Sequence, residues 1–134
     1  MKKTICFLLC IFLSIGLCAC GGEIALEKTY EVESELYSQK DISSAIDTIK
    51  SEFRKNWSGC TLTEIYYAGD EYSENHKDWA ERNNADEVIV LLSSFKVDSS
   101  GGDGSLNPDS TYKNWSWILV RNKNGNWKHV DHGY

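Results

Sequence analysis

Val88-Ile89-Val90-Leu91-Leu92, continued through Ser93, Ser94, Phe95 and Lys96 to Val97, decides how the rest of the chain is read. Five aliphatic residues in a row predict a strand buried on both faces, and the more alternating continuation to Val97 predicts that one face then turns outward. A strand of that kind belongs inside a sheet, so its neighbours must be found on either side in the sequence.

Upstream, Cys60 to Tyr67 is rich in Thr, Ile and Tyr and reads as a strand. Before it, Ile42, Ala45, Ile46, Ile49, Phe53 and Trp57 recur at spacings of three and four, the apolar face of a helix over about 39–57. Ser38 followed by Asp41 has the form of a capping box with Asp in place of the usual Glu. Lys50, Arg54 and Lys55 suit the C-terminal end of its dipole, and Gly59 can supply a left-handed stop. Gly69-Asp70 turns the chain into a second helical stretch over about 71–83, with Tyr72, His76 and Trp79 as its stripe. Downstream, the segment from Asp98 to Tyr112 holds Gly101, Gly102 and Gly104 and the chain's single proline, Pro108, so it reads as a long surface connection. Trp115 to Arg121 and Trp127 to Val130 read as two more strands, joined through Asn124-Gly125, a dipeptide that favours a type I′ hairpin. The expected fold class is α+β: two helices packed on one face of a curved, mostly antiparallel four-stranded sheet.

The chain has 134 residues, room for one domain. Its net charge is −6, and setting aside Lys2 and Lys3 leaves 12 basic against 20 acidic residues, a net of −8. A surface so acidic repels phosphate backbones and disfavours nucleic acid as a partner.

Lys2 and Lys3 followed by an apolar run from Ile5 to Ala19 have the form of a secretion signal, too short for a comfortable permanent span. The run ends in Leu17-Cys18-Ala19-Cys20 and Gly21-Gly22, which resembles the lipobox of bacterial lipoproteins, with Cys18 standing where Ser, Ala or Thr is usual. That resemblance implies a signal peptide over 1–19, a lipid anchor on Cys20, and a protein held at the outer face of the bacterial cytoplasmic membrane; a thioether-linked diacylglycerol gives the two chains that stable anchoring needs. Residues 20–37 read as a solvated tether, whose later apolar residues could dock on the domain, and 38–134 as the single α+β domain. Cys6, Cys10 and Cys18 would leave with the signal, so Cys60 would be the one remaining thiol, read as a core residue.

Cys60-Thr61-Leu62-Thr63, Glu87 to Leu92, Phe95 to Ser105, and the ending Trp127-Lys128-His129-Val130-Asp131-His132-Gly133-Tyr134 together resemble an uncharacterised family of Gram-positive lipoproteins, a domain of unknown function. The element order also resembles the cystatin-like or nuclear-transport-factor-2-like cone. That resemblance implies a sheet and helices enclosing a pocket, but no activity, since the fold hosts many.

Candidate chemistry is thin. Asp98, Asp103 and Asp109 sit among glycines, yet their spacing fits neither an EF-hand nor a tandem glycine-rich calcium repeat. His76, His129 and His132 with Asp131 are the imidazoles available for acid/base work or a metal; on a regular strand His129 and His132 would face opposite ways. Trp79, Trp115, Trp117 and Trp127 offer an aromatic cleft or core anchors, with Trp115 and Trp117 on one face and sharing one fate. The expectation is a non-enzymatic binding or interaction domain without metal or cofactor, its partner an unidentified protein, envelope polymer or small ligand. The alternative is a ligand-binding or enzymatic cone using Asp86, Asp131 or His129 in a pocket.

Overall fold

A computed structural model describes residues 21–134; the segment read as a signal peptide and Cys20 lie outside the described residues. Helix α1 spans Gln39–Asn56 and starts as its sequence predicts. The Ser38 side chain accepts from the Asp41 N–H at 3.1 Å while the Asp41 carboxylate accepts from the Ser38 N–H at 3.2 Å, completing the capping box. Ile42, Ala45, Ile49 and Phe53, one stripe of its surface, are buried.

The sheet has five strands, β1 (Glu23–Ile24), β2 (Cys60–Tyr67), β3 (Glu87–Val97), β4 (Thr111–Arg121) and β5 (Lys128–Gly133), ordered as in the chain. β2 to β5 pair antiparallel, and β1 adds a short parallel edge beside β2. The four-strand expectation thus falls one short and the sheet is mixed. The missing strand comes from the segment read as a tether. Gly22 N–H donates to the Phe53 carbonyl, Ala25 N–H to Leu62 and Glu27 N–H to Thr63, at 2.8–3.0 Å. Further on, Ser34 and the Glu35 N–H both donate to the Asp70 carboxylate, and the Tyr37 hydroxyl donates to the Val88 carbonyl at 2.6 Å. Residues 21–37 therefore form a strap bound along the domain, the docking that the sequence left open.

The expected second helix is two: α2 (Asp70–Glu74) and α3 (Lys77–Arg82). His76 breaks it. Its Nδ1 bonds the Tyr72 carbonyl at 2.6 Å, taking the acceptor that an unbroken helix would offer the His76 N–H, which turns to Ser73 instead. The helices also do not share a face of the sheet, contrary to expectation. α1 covers the face carrying Ile89, Leu91, Trp117 and Leu119, whereas Ala80 of α3 packs with Val88, Val90, Ile118 and Val120 on the other. Covering both faces accounts for the unbroken apolar run at the start of β3.

The turn between β4 and β5 is shifted by one residue from the expected type I′. The Gly125 N–H donates to the Asn122 carbonyl at 2.7 Å, and Asn124, with φ 62°, takes the left-handed place at the third residue of that turn. Asn tolerates that conformation, so Gly125 is left to close the turn, where a Cβ would meet the Asn122 carbonyl oxygen at 3.0 Å.

Arg121 ties these layers together. Its guanidinium pairs with Asp41 of α1 at 3.0 Å and with Glu87 of β3, and lies over the Trp127 ring at 4.1 Å. Trp127 in turn donates its indole N–H to the Asp41 carbonyl at 3.1 Å. Replacing Arg121 by Leu strands two carboxylates and should cost roughly 2–3 kcal/mol, below a fully buried pair because both carboxylates keep solvent contact. Urea unfolding checks this, and a loss under 1 kcal/mol would show the cluster to be dispensable. The Asp41 carboxyl is held below the usual carboxylate range, first by Arg121 and then by Ser38. Its contribution is present above the unfolded pKa of about 4 and is lost as pH falls through the lower folded value, so Asp41→Asn should flatten the acid limb of a stability profile.

Candidate functional site

Where α1 ends, its last turn, the β3–β4 loop and the ends of β4 and β5 meet around a cleft of about 300 Å³. Glu52, Asn56 and Trp57 come from the helix end, Asp103 and Leu106 from the loop, Trp115 from β4 and His132 from β5. A larger open groove of about 670 Å³ lies beside Gly21, Arg54 and Lys96, without any aromatic side chain to hold a ligand.

The local folding follows from three irregularities. Trp57 stands just past the last helical residue, its N–H still bonded to the Phe53 carbonyl at 3.1 Å, and its ring stacks on Phe53 with centroids 5.5 Å apart. In β4, Ser93 pairs with Trp115 but Phe95 with Tyr112, so Lys113 and Asn114 form a bulge, with Asn114 at φ 57°. In β5, Ile118 pairs with Asp131 but Leu119 with His129, leaving Val130 as the extra residue.

That second bulge overturns the expectation that His129 and His132 face opposite ways. It restores both to the face of Trp117, where His132 Nδ1 and His129 Nε2 lie 3.2 Å apart, and sends Asp131 to the other face beside Ile118. Trp57 stands perpendicular to Trp115, centroids 5.9 Å and planes 81° apart, and to His132 at 5.2 Å and 73°. His132 lies nearly parallel to Trp115 at 5.9 Å. Trp115 and Trp117 do share a face, but with different exposure: Trp117 is fully buried and donates to Ser93 at 2.7 Å, while Trp115 is partly open at the cleft. The Trp115 indole N–H is buried and finds no hydrogen-bond acceptor among the described residues.

Of the residues singled out from the sequence, Asp103, Trp115, Trp117, His129 and His132 come together here. His76 sits at the α2–α3 break on the opposite face, stacked on Tyr72. Asp86 lies at the far end of the sheet, accepting from the Lys123 N–H at 2.8 Å, and Asp131 lies on the opposite face of the sheet from His129. Trp79 packs under Arg82, 4.0 Å from its guanidinium, and Trp127 is a core anchor. Glu52 and Trp57 were missed as site residues; the available signal was that Trp57 follows Phe53 by four residues at the point where the helix must stop.

Ser105 donates its hydroxyl and its N–H to Asp103, keeping that carboxyl below the usual range. Burial, and then the charges of Asp98 and Asp103, push the Cys60 thiol up to about 11, far from a thiolate at neutral pH. Asp98 is turned back on Ser100 in the same way as Asp103 on Ser105. Among the described residues no group of three or more His, Cys, Asp or Glu side chains could hold a metal ion.

Burial, then the neighbouring His132, lower the His129 pKa, against the opposing pull of Glu52 and Asp131. As pH falls, the unfolded chain therefore takes up this proton first: stability is full above about pH 6.5 and is lost as pH drops through the lower folded value. The thermal midpoint should decline between pH 7.5 and 5, and His129→Gln should remove part of the decline. An identical slope in the variant would show that this ring is not the titrating group.

Comparison with protein-family models, curated proteins and solved structures returned no significant match, so the reading of this site rests on its own geometry.

Proposed function

We propose that the chain is an exported lipoprotein, anchored through lipid on Cys20, whose domain is a non-enzymatic binding module that receives a small ligand in the Trp57–Trp115–His132 cleft. The observation that carries the binding reading is the cleft itself: partly exposed indoles at the mouth of an otherwise filled aromatic core, rimmed by Glu52, Asn56 and Asp103. Aromatic walls with a few polar groups are the usual make-up of a small-molecule site. The lipid anchor is supported by the lipobox-like Leu17 to Cys20, and among the described residues no helix is long and apolar enough to cross a membrane. We further read the sheet and α1 as a cystatin-like or nuclear-transport-factor-2-like cone whose interior is occupied by Phe53, Phe95 and Trp117.

A second reading is favoured by one observation, the hydrogen-bonded His129–His132 pair. One imidazole must donate to the other, which fixes a tautomer and leaves the second nitrogen of the donating ring with a free lone pair, the position a general base would use. Two of the hydroxyl and thiol groups at the cleft are not available to it: the Ser105 hydroxyl is committed to Asp103 and the Cys60 thiol is buried and protonated.

Two measurements test the proposal. Cys20→Ser should abolish metabolic labelling with a radioactive fatty acid and release the domain from membranes; unchanged retention sinks the anchor. Trp57→Ala should abolish ligand-induced tryptophan fluorescence changes in a screen of small envelope metabolites, and a ligand found elsewhere on the domain would move the site.

A further inference from the structure

We propose that the cleft is selective for an organic ammonium group, an inference that rests on the binding-module reading and names its ligand class. The charged side chains lining the cleft are the carboxylates of Glu52 and Asp103; among the described residues no lysine or arginine lines it, so an anionic ligand would meet repulsion with no counter-charge there. Asp103 is held in its ionised form by Ser105. The chain as a whole is acidic, which raises the local concentration of cations near such a rim.

The aromatic geometry points the same way. A flat ring is best held between parallel walls, but Trp57 and Trp115 stand at 81° and make a corner. Two electron-rich faces at right angles suit a compact tetrahedral head, and the attraction of a cation for an indole face operates within about 6 Å of the ring centre. The His132 ring completes the corner against Trp57 and Trp115. A metal ion is a poorer fit, since among the described residues no three ligating side chains converge. A sugar could stack on one indole and donate to the carboxylates, but it would gain nothing from their charge.

Choline, its uncharged isostere 3,3-dimethyl-1-butanol, and N-acetylglucosamine, each titrated while the five indole N–H resonances are followed by NMR, separate the possibilities. Choline should move the Trp57 and Trp115 signals, leave Trp127 in place, and bind at least about tenfold more tightly than the isostere, the ratio expected of a cation–aromatic contact reinforced by two carboxylates. Its affinity should fall with added salt. Glu52→Gln with Asp103→Asn should weaken it about tenfold and remove the salt dependence, unchanged Trp117 and Trp127 signals confirming the fold. If that variant fails to fold, the choline-to-isostere ratio on the unaltered protein decides alone. Equal binding of isostere and choline overturns the proposal, as does an unchanged affinity in the double variant. N-acetylglucosamine moving both indoles while choline does not would sink the ammonium assignment and keep the binding module. Silence of both indoles towards all three overturns the ammonium proposal, and then only a cleft ligand emerging from the metabolite screen would keep the binding-module reading.

Discussion

Arg121 is the constraint on which the arrangement of layers depends. A single guanidinium near the end of β4 meets the third residue of α1, the first residue of β3 and the ring of Trp127, so helix, sheet and closing strand are fixed to one another at one point. Its always-charged planar fork satisfies two carboxylates at once while its flat face rests on an indole, which lysine could not do. Because Asp41 also belongs to the capping box, the same contact sets where α1 begins. With the start of α1 fixed, its eighteen residues determine where Trp57 arrives, and hence where the cleft opens.

The cleft owes its contents to departures from regular structure. Two bulges in neighbouring strands and a helix end supply its walls, while the regular parts of the same elements fill the core. A bulge resets the two-residue alternation of side chains, and in β5 this puts two histidines on one face and expels the intervening aspartate. The loop joins in through Leu106, which packs against the core, and Asp103, which remains at the rim.

Much of the fold was legible in the sequence because it was written in periodicity. The three-and-four spacing from Ile42 to Phe53 and the capping pair Ser38–Asp41 gave α1 nearly to the residue, and the run from Val88 to Leu92 gave a strand buried on both faces. The same run held the information that helices cover both sides of the sheet, but the helices' own stripes do not say which face each meets. β1 left no pattern because it is two residues long and is held by backbone bonds to β2, which side chains do not encode. The site was less legible still. The β5 bulge at Val130 has no residue signature, so His129 and His132 read as opposed. The hairpin slipped by one because Asn124, like glycine, accepts a positive φ, and the stretch Asn122 to Gly125 satisfies two turn registers.

The strap has a mechanical consequence. Seventeen free residues between an anchor and a domain would span up to roughly 55 Å and let the domain sweep a wide volume. Here the chain is fastened from Gly22 onward, and Gly21 already lies so close to the Arg54 carbonyl that a Cβ there would sit 1.7 Å from its oxygen. A lipid on Cys20 would therefore have almost no slack. Under the anchoring proposed above, the domain would stay close to its point of attachment instead of sweeping that volume, as a fixed fitting and not as a lure on a line.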